Sequence, residues 1–307
     1  MGLATREAYG KALLQLGADN KDVVVLDADL SKSTKTGDFA AAHADRFINV
    51  GIAEQNLMGI AAGLASYGKI PFASTFAVFA TGRAFEIIRN SICYPNLNVK
   101  VAATHAGISV GEDGGSHQSV EDIALMNALP NMSVIVPADA REAEEVIKYA
   151  AAHVGPVYIR LGRLAAEDIF DASYTYEYGK GVQLVDGDDV AIFATGLMTA
   201  EAKKAAETLK ADGINARVIH IPTIKPIDRA IIEKAARECK FIVTAEEHSV
   251  IGGLGSVVAN VVTETHPTKV VKIGLNDTFG ESGTPAELLE KYGMTAHNVV
   301  KVVKENI

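Results

Sequence analysis

Apolar residues fall along the chain in two alternating kinds of segment. Short β-branched runs, the signal of buried strands, alternate with longer alanine-rich stretches at helical spacing. Val23–Leu26, Phe47–Val50, Pro71–Ser74, Val99–Thr104, Ser133–Val136 and Val157–Leu161 read as strands. Glu54–Tyr67, Val78–Ile92, Glu121–Leu129 and Ala140–His153 read as helices between them. Strands alternating with helices of roughly 10–15 residues predict a mostly parallel sheet covered on both faces.

The rhythm breaks at AAEDIFDASYTYEY, residues 165–178, which is acidic and rich in tyrosine. It resumes with strands at Val190–Thr195, Ala216–Ile221, Phe241–Ala245 and Val270–Ile273. The accompanying helices are Met198–Lys210, Arg229–Glu238, Leu254–Thr265 and Ala286–Tyr292. The expected fold class is therefore α/β, with two doubly wound, mostly parallel-sheet domains. Residues 1–165 form the first, 166–181 a linker and 182–307 the second. The 307 residues suit two units of ~150 residues. Each can bury its own core without a disulfide or metal staple.

Charge narrows the function classes. Lys plus Arg number 29 and Asp plus Glu 38, a formal net charge of −9. Residues 1–165 carry 14 basic and 17 acidic side chains, the remainder 15 and 21. Neither part has the basic footprint of a nucleic-acid binder or of a protein drawn to an anionic membrane. No apolar run approaches the ~20 residues of a membrane span. An Arg6–Glu7 pair sits where a signal peptide would need its apolar core. The two cysteines, Cys93 and Cys239, have no paired spacing, which argues against a zinc site. The expected compartment is the reducing cytoplasm.

Ligands of open α/β sheets bind beyond the C-terminal ends of the strands, so the segments after each strand carry the candidate chemistry. The first strand runs into Asp27-Ala-Asp-Leu-Ser-Lys-Ser33, which a turn and helix cap would also favour. Glu54 opens the helix after the second strand, where the helix dipole alone would stabilise it. The small residues Gly59 and Gly63 on that helix fit core packing or a subunit seam. Phe76 and Phe79 follow the third strand and read first as core aromatics. Gly63 to Lys69 spells most of a phosphate loop, but Ile70 replaces the required hydroxyl residue and the segment enters a strand rather than leaving one.

The richest segment follows the fourth strand: Thr104-His-Ala-Gly-Ile-Ser-Val-Gly-Glu-Asp-Gly-Gly-Ser-His-Gln118. It packs four glycines, two histidines and two acids into fifteen residues. That is too long and too polar for a mere connector. Its glycines allow close backbone approach to a ligand, and its histidines can exchange protons near neutral pH. A polar substrate fits this loop better than a metal, whose ligand spacings are missing. Arg160 and Arg163 follow the sixth strand and Arg6 lies near the N-terminus, each a surface charge or an anion clamp. Glu246 to Gly255 follows a strand and opens a helix; it reads as structural or as a subunit contact.

Ala4-Thr-Arg6, the Asp27–Ser33 segment, Gly51-Ile-Ala-Glu-Gln-Asn56, Ser74-Thr-Phe76 and the loop from Thr104 to Gln118 together resemble the C-terminal half of transketolase. The resemblance spans essentially the whole chain, in the same motif order. It implies a pyrimidine-binding domain followed by the family's C-terminal domain, and thiamine diphosphate with Mg²⁺ or Ca²⁺ as cofactor. The family's diphosphate and metal motif, Gly-Asp-Gly…Asn, is not in this sequence. The resemblance thus implies a subunit of a split transketolase. Its N-terminal partner subunit would bring the diphosphate and metal site, in an α2β2 heterotetramer.

By the same resemblance, Glu54 would hydrogen-bond the pyrimidine N1′ and favour the imino tautomer, with burial in an apolar pocket raising its pKa. Phe76 and Phe79 would stack around the ring. Leu30 would brace the bent cofactor, and Asp29 would serve the subunit interface. His105, Asp113 and His117 would line the sugar channel, Asp113 at the donor's C2 hydroxyl and His117 at its carbonyl. Arg6, Ser33, His105 and Arg163 would clamp the sugar phosphate. The implied reaction moves a two-carbon ketol unit from a ketose phosphate to an aldose phosphate. Many relatives have a third pocket aromatic where Gly82 stands here. A deoxyxylulose-phosphate synthase would usually carry an acidic–basic pair in place of Thr104-His105. The β subunit of a 2-oxoacid dehydrogenase would lack the GEDG…HQ loop. A non-catalytic interaction relative would have no need of Glu54, His105, Asp113 and His117 together.

Overall fold

The computed structural model describes residues 2–307. The first half runs α1 (Thr5–Asp19), β1 (Val23–Asp27), α2 (Ser31–Thr34), α3 (Gly37–Ala42), β2 (Phe47–Asn49), α4 (Glu54–Ser66), β3 (Ile70–Phe76), α5 (Phe85–Ile87), β4 (Lys100–Thr104), α6 (Asp122–Asn127), β5 (Ser133–Ile135), α7 (Ala140–Ala152) and β6 (Val157–Arg160). The second half runs β7 (Val182–Val185), β8 (Val190–Ala194), α8 (Met198–Ala211), β9 (Ala216–His220), β10 (Thr223–Lys225), α9 (Arg229–Glu238), β11 (Phe241–Ser249), α10 (Leu254–Glu264), β12 (Val270–Leu275), α11 (Pro285–Lys291) and α12 (Ala296–Lys304).

Two mostly parallel sheets result, in the orders β10-β5-β6-β4-β3-β1-β2 and β12-β11-β8-β9-β7. Every residue of β1, β4 and β8 is buried, as expected of parallel strands covered on both faces. Because β1, β2, β3, β4 and β6 run in one direction, their following loops all open on one edge.

Three departures from the periodicity matter. No element is predicted before residue 23, yet α1 occupies Thr5–Asp19 and packs on α7. Its buried face sets only two large residues, Tyr9 and Leu13, among Thr5, Ala8, Gly10, Ala12 and Gly17, which is too sparse to register as an apolar stripe. A Cβ on Gly10 would lie 2.5 Å from the Lys35 carbonyl oxygen, so this close approach needs glycine. The predicted single helix Val78–Ile92 is instead two π-helical turns, Phe79–Arg83 and Ile88–Cys93, flanking α5. Such turns recur at functional sites.

The third departure concerns β10, which lies in the second half of the sequence but pairs antiparallel with β5 at the edge of the first sheet. The predicted linker is strapped down. The Ile169 and Phe170 N–H groups donate to Asp139, and the Tyr174, Tyr176 and Tyr178 hydroxyls bond Glu142, Thr223 and Ser133. Glu246 fills the N-terminus of α10, accepting from the Leu254 and Gly255 N–H groups at 2.6 and 2.8 Å. That segment is structural: the acceptor at this helix end is the chain's own carboxyl group.

Candidate active site

The helix after β2 begins with Glu54, which is 2% exposed. Its Oε2 accepts from Arg83 Nη1 at 2.8 Å. The carboxylate is therefore ion-paired, and not alone in the apolar pocket that the sequence suggested. Arg83 closes the π turn after β3, and its guanidinium lies 5.0 Å from the Phe79 ring centroid. A Cβ on Gly82 would meet nothing within 4 Å, so the space of the missing aromatic is open and Arg83 flanks it. Phe76, at the end of β3, lies parallel to Phe79 with centroids 5.9 Å apart.

His105 extends this stack, its ring 3.8 Å from that of Phe76, and His117 meets both phenylalanines edge-on. His105 is buried and in the left-handed region, φ 57°. Arg6 Nη1 sits 3.3 Å from its Nε2, and Thr104 Oγ1 lies 2.9 Å from its Nδ1. A guanidinium can only donate, so Nε2 accepts and Nδ1 carries the proton toward Thr104. Burial pushes the His105 pKa down to about 3, helped by the charges of Arg6, Arg163, His117 and Lys35. A neutral imidazole thus sits in a field of cations.

The anion side is built around Arg6. Its Nη1 also donates to the Ser33 carbonyl at 2.8 Å, while its buried Nε has no partner. Arg163 donates to the Val110 carbonyl and, at 3.2 Å, to Glu112. Neither arginine has a buried carboxylate of its own, which leaves the pair open to an anionic ligand.

The β1 loop takes its shape from Asp27, a residue the motif contained but whose role it did not reveal. Asp27 accepts from the Leu30 N–H at 2.5 Å and from the Thr34 and Thr36 hydroxyls at 2.6 and 2.9 Å. Burial raises its pKa, and these bonds oppose the rise. Leu30 is consequently half-buried, and Asp29 is exposed at φ 65°, bonded to Asn49.

The edge thus brings together Glu54, Phe76, Phe79, His105, His117, Arg6, Ser33 and Arg163. Asp113 is exposed on the glycine-rich loop and has no hydrogen-bond partner among the described residues. Arg160 is not part of the clamp. It is buried and forked onto Asp122, with Nε–Oδ2 at 2.7 Å and Nη2–Oδ1 at 3.1 Å. Sequence reasoning missed Arg83, Gln118 and Glu247. Arg83 had a signal, a cation four residues past Phe79; the other two act across the domain junction, which sequence spacing does not reveal.

A parallel sheet whose C-terminal edge joins a buried carboxylate and parallel aromatic rings to two arginines defines a cofactor-and-anion site of an α/β enzyme. Residues 1–167 match the pyrimidine binding domain of transketolase and residues 179–299 its C-terminal domain; the chain belongs to the transketolase family. It is 51% identical to a Methanocaldococcus jannaschii protein provisionally described as a transketolase C-terminal section, covering 98% of this chain and 96% of that protein. The 6-deoxy-6-sulfo-D-fructose transketolase subunit of Clostridium sp. (strain MSTE9) is 40% identical, with 98% and 93% covered. Human transketolase is 38% identical over 98% of this chain but only 49% of its own length. A solved split-gene transketolase, an inactive β4 tetramer, superposes with a TM-score of 0.93 at 62% identity, covering 99% of this chain and 98% of that one.

The family uses thiamine diphosphate, and the residues here suit the pyrimidine end of that cofactor. Glu54 is a buried acceptor joined through Arg83 to the Phe79 ring, and the stacked Phe76–Phe79 pair offers an aromatic surface against which a heterocycle can pack. Among the described residues no cluster of three or more His, Cys, Asp or Glu could hold a metal ion. No described helix is long and apolar enough to cross a membrane.

Proposed function

We propose that this chain is the pyrimidine and sugar-phosphate half of a split transketolase. A second chain would supply the diphosphate and Mg²⁺ or Ca²⁺ site, in an α2β2 assembly. Together they would transfer a two-carbon ketol unit from a ketose phosphate to an aldose phosphate. The observation that carries this reading is the His105 contact set. One neutral imidazole touches the Phe76 ring on one side and Arg6 on the other, joining an aromatic platform to an anion clamp.

Thiamine diphosphate would supply the electron sink for breaking and making the C–C bond. Glu54 holds or releases a proton at the pyrimidine nitrogen, and Phe76 and Phe79 fix the ring plane. Leu30 supports the cofactor's bend and Asp29 faces the partner chain. Arg6, Ser33, His105 and Arg163 hold the sugar phosphate. With its pKa near 3, His105 does so as a neutral donor–acceptor. Asp113 orients the donor's C2 hydroxyl, and His117 stabilises charge developing on the carbonyl oxygen. The inactive β4 assembly of the 62%-identical relative supports a need for a second chain.

The test is co-purification with the native partner, followed by ketol-transfer assays on the complex and on each chain. Activity is expected only in the complex. Full activity from the highly purified single chain would overturn the split-subunit reading.

A further inference from the structure

We propose that the second domain, through Gly280 and Gln118, is a positioning element for the loop that carries Asp113 and His117. The functional consequence rests on the transketolase reading above; the structural part does not.

Gln118 is 3% exposed. Its Nε2 faces three carbonyl oxygens: Ile108 at 3.3 Å, Gly111 at 3.2 Å and Glu281 at 2.9 Å. The first two belong to the glycine-rich loop, the third to the segment between β12 and α11 in the second domain. One buried amide therefore ties the two turns of the loop to the other domain. On its far side, Oε1 is buried without a partner, wedged against Gly280. A Cβ on Gly280 would lie 1.8 Å from that oxygen.

The same segment touches the loop twice more. A Cβ on Gly115 would lie 2.7 Å from the Gly280 carbonyl oxygen, and one on Gly114 would lie 2.5 Å from Ser282 Oγ. Gly114, next to Asp113, and Gly115, shortly before His117, are thus places where the second domain's Ser282 side chain and Gly280 backbone press on the loop. Inside the loop, consecutive turns hold the Gly111, Gly114 and His117 N–H groups at 3.0, 3.0 and 2.9 Å from the Ile108, Gly111 and Gly114 carbonyls. Gln118 closes this series, so its location sets where Asp113 and His117 stand. It touches no candidate reacting group and is a positioning residue.

Gln118→Ala, Gly280→Ala and the double variant test this. In the full chain, amide exchange at Gly111, Gly114 and His117 should speed up at least about threefold in each single variant, the scale of one lost hydrogen bond. In the two-chain enzyme, kcat/KM for the ketose phosphate should fall about 10²-fold, the scale of a 1 Å misplacement. The loss should lie in kcat, with thiamine diphosphate affinity within about twofold of wild type. The double variant should be no worse than Gln118→Ala, because both single changes disable one device. Unchanged loop exchange, a Gly280→Ala enzyme of wild-type kcat, or additive losses would each overturn the proposal. A parallel collapse of cofactor affinity would do the same, since it would mark general damage. If the wild-type complex shows no ketol transfer, the functional reading fails and the exchange data decide the positioning by themselves.

Discussion

Glu247→Gln should stabilise the protein above neutral pH and leave it unchanged in acid. Glu247 is 4% exposed at the junction of the domains, where Oε1 accepts from the Ser109 N–H at 2.6 Å. Burial pushes its pKa from 4.5 up to about 7, although Arg160 and the Ser109 bonds pull against the rise. A carboxyl whose folded pKa exceeds its unfolded value holds its proton better in the native state. Its stability contribution is therefore present in full below about pH 4.5 and is lost progressively as pH rises to about 7. The shift corresponds to about 3 kcal/mol above pH 7, as an upper scale. A glutamine keeps an oxygen acceptor for Ser109 and carries no charge to desolvate. Thermal melts of both proteins from pH 4.5 to 8.5 should show the variant's advantage growing across that window. At roughly 2–4 °C per kcal/mol, the Tm gain at pH 8 has an upper scale of about 6–12 °C. A variant less stable than wild type at pH 8, or a difference independent of pH, would mean that Arg160 holds Glu247 as a favourable anion, and would refute the reasoning.

Three further outcomes are expected. Glu54→Gln in the two-chain enzyme should lower kcat by about 10²–10⁴-fold, the range for losing a proton-transfer group; a near-normal rate in steady-state assays would remove its assigned role. Arg163→Ala should raise KM for phosphorylated sugars by roughly tenfold with a small change in kcat, on the scale of one charge-assisted bond; an equal effect on an unphosphorylated sugar would show that the clamp is misassigned. Lys100→Met should cost about 2 kcal/mol by orphaning the His153 and Gly155 carbonyls, which the ammonium bonds at 2.7 Å each, while Asn98 Oδ1 keeps the Gly155 N–H; calorimetry showing an unchanged Tm would contradict that accounting.

The strands at Val23 and Val190 were legible because fully buried parallel strands leave continuous apolar runs, VVVL and VAIFA. The helix at Thr5–Asp19 was not, because only Tyr9 and Leu13 of its buried face are large and the rest is threonine, alanine and glycine. β10 was hidden for a different reason: three residues in a loop-like context become a strand only because the β5 edge is there to pair with. Among site residues, Glu54, the two phenylalanines and the histidines could be picked out by position after strands. Spacing alone does not separate Arg160 from Arg163; the family resemblance picks Arg163 for the clamp, and the structure adds the physical reason that Asp122 claims Arg160.

By itself the sequence determined the α/β alternation, the two-part organisation, and the set of loops that carry chemistry, since periodicity and motif spacing are local properties. It also brought the family resemblance, which the comparisons establish. Only the tertiary structure decided which charges are spent and which are free. Arg83 is joined to Glu54, Arg160 to Asp122, and Glu246 to a helix end, whereas Arg6 keeps a buried nitrogen unpaired. Those pairings cross 29, 38 and 8 positions of sequence. A charge is neutralised by what lies within a few ångströms of it in space, and only the folded packing sets that distance.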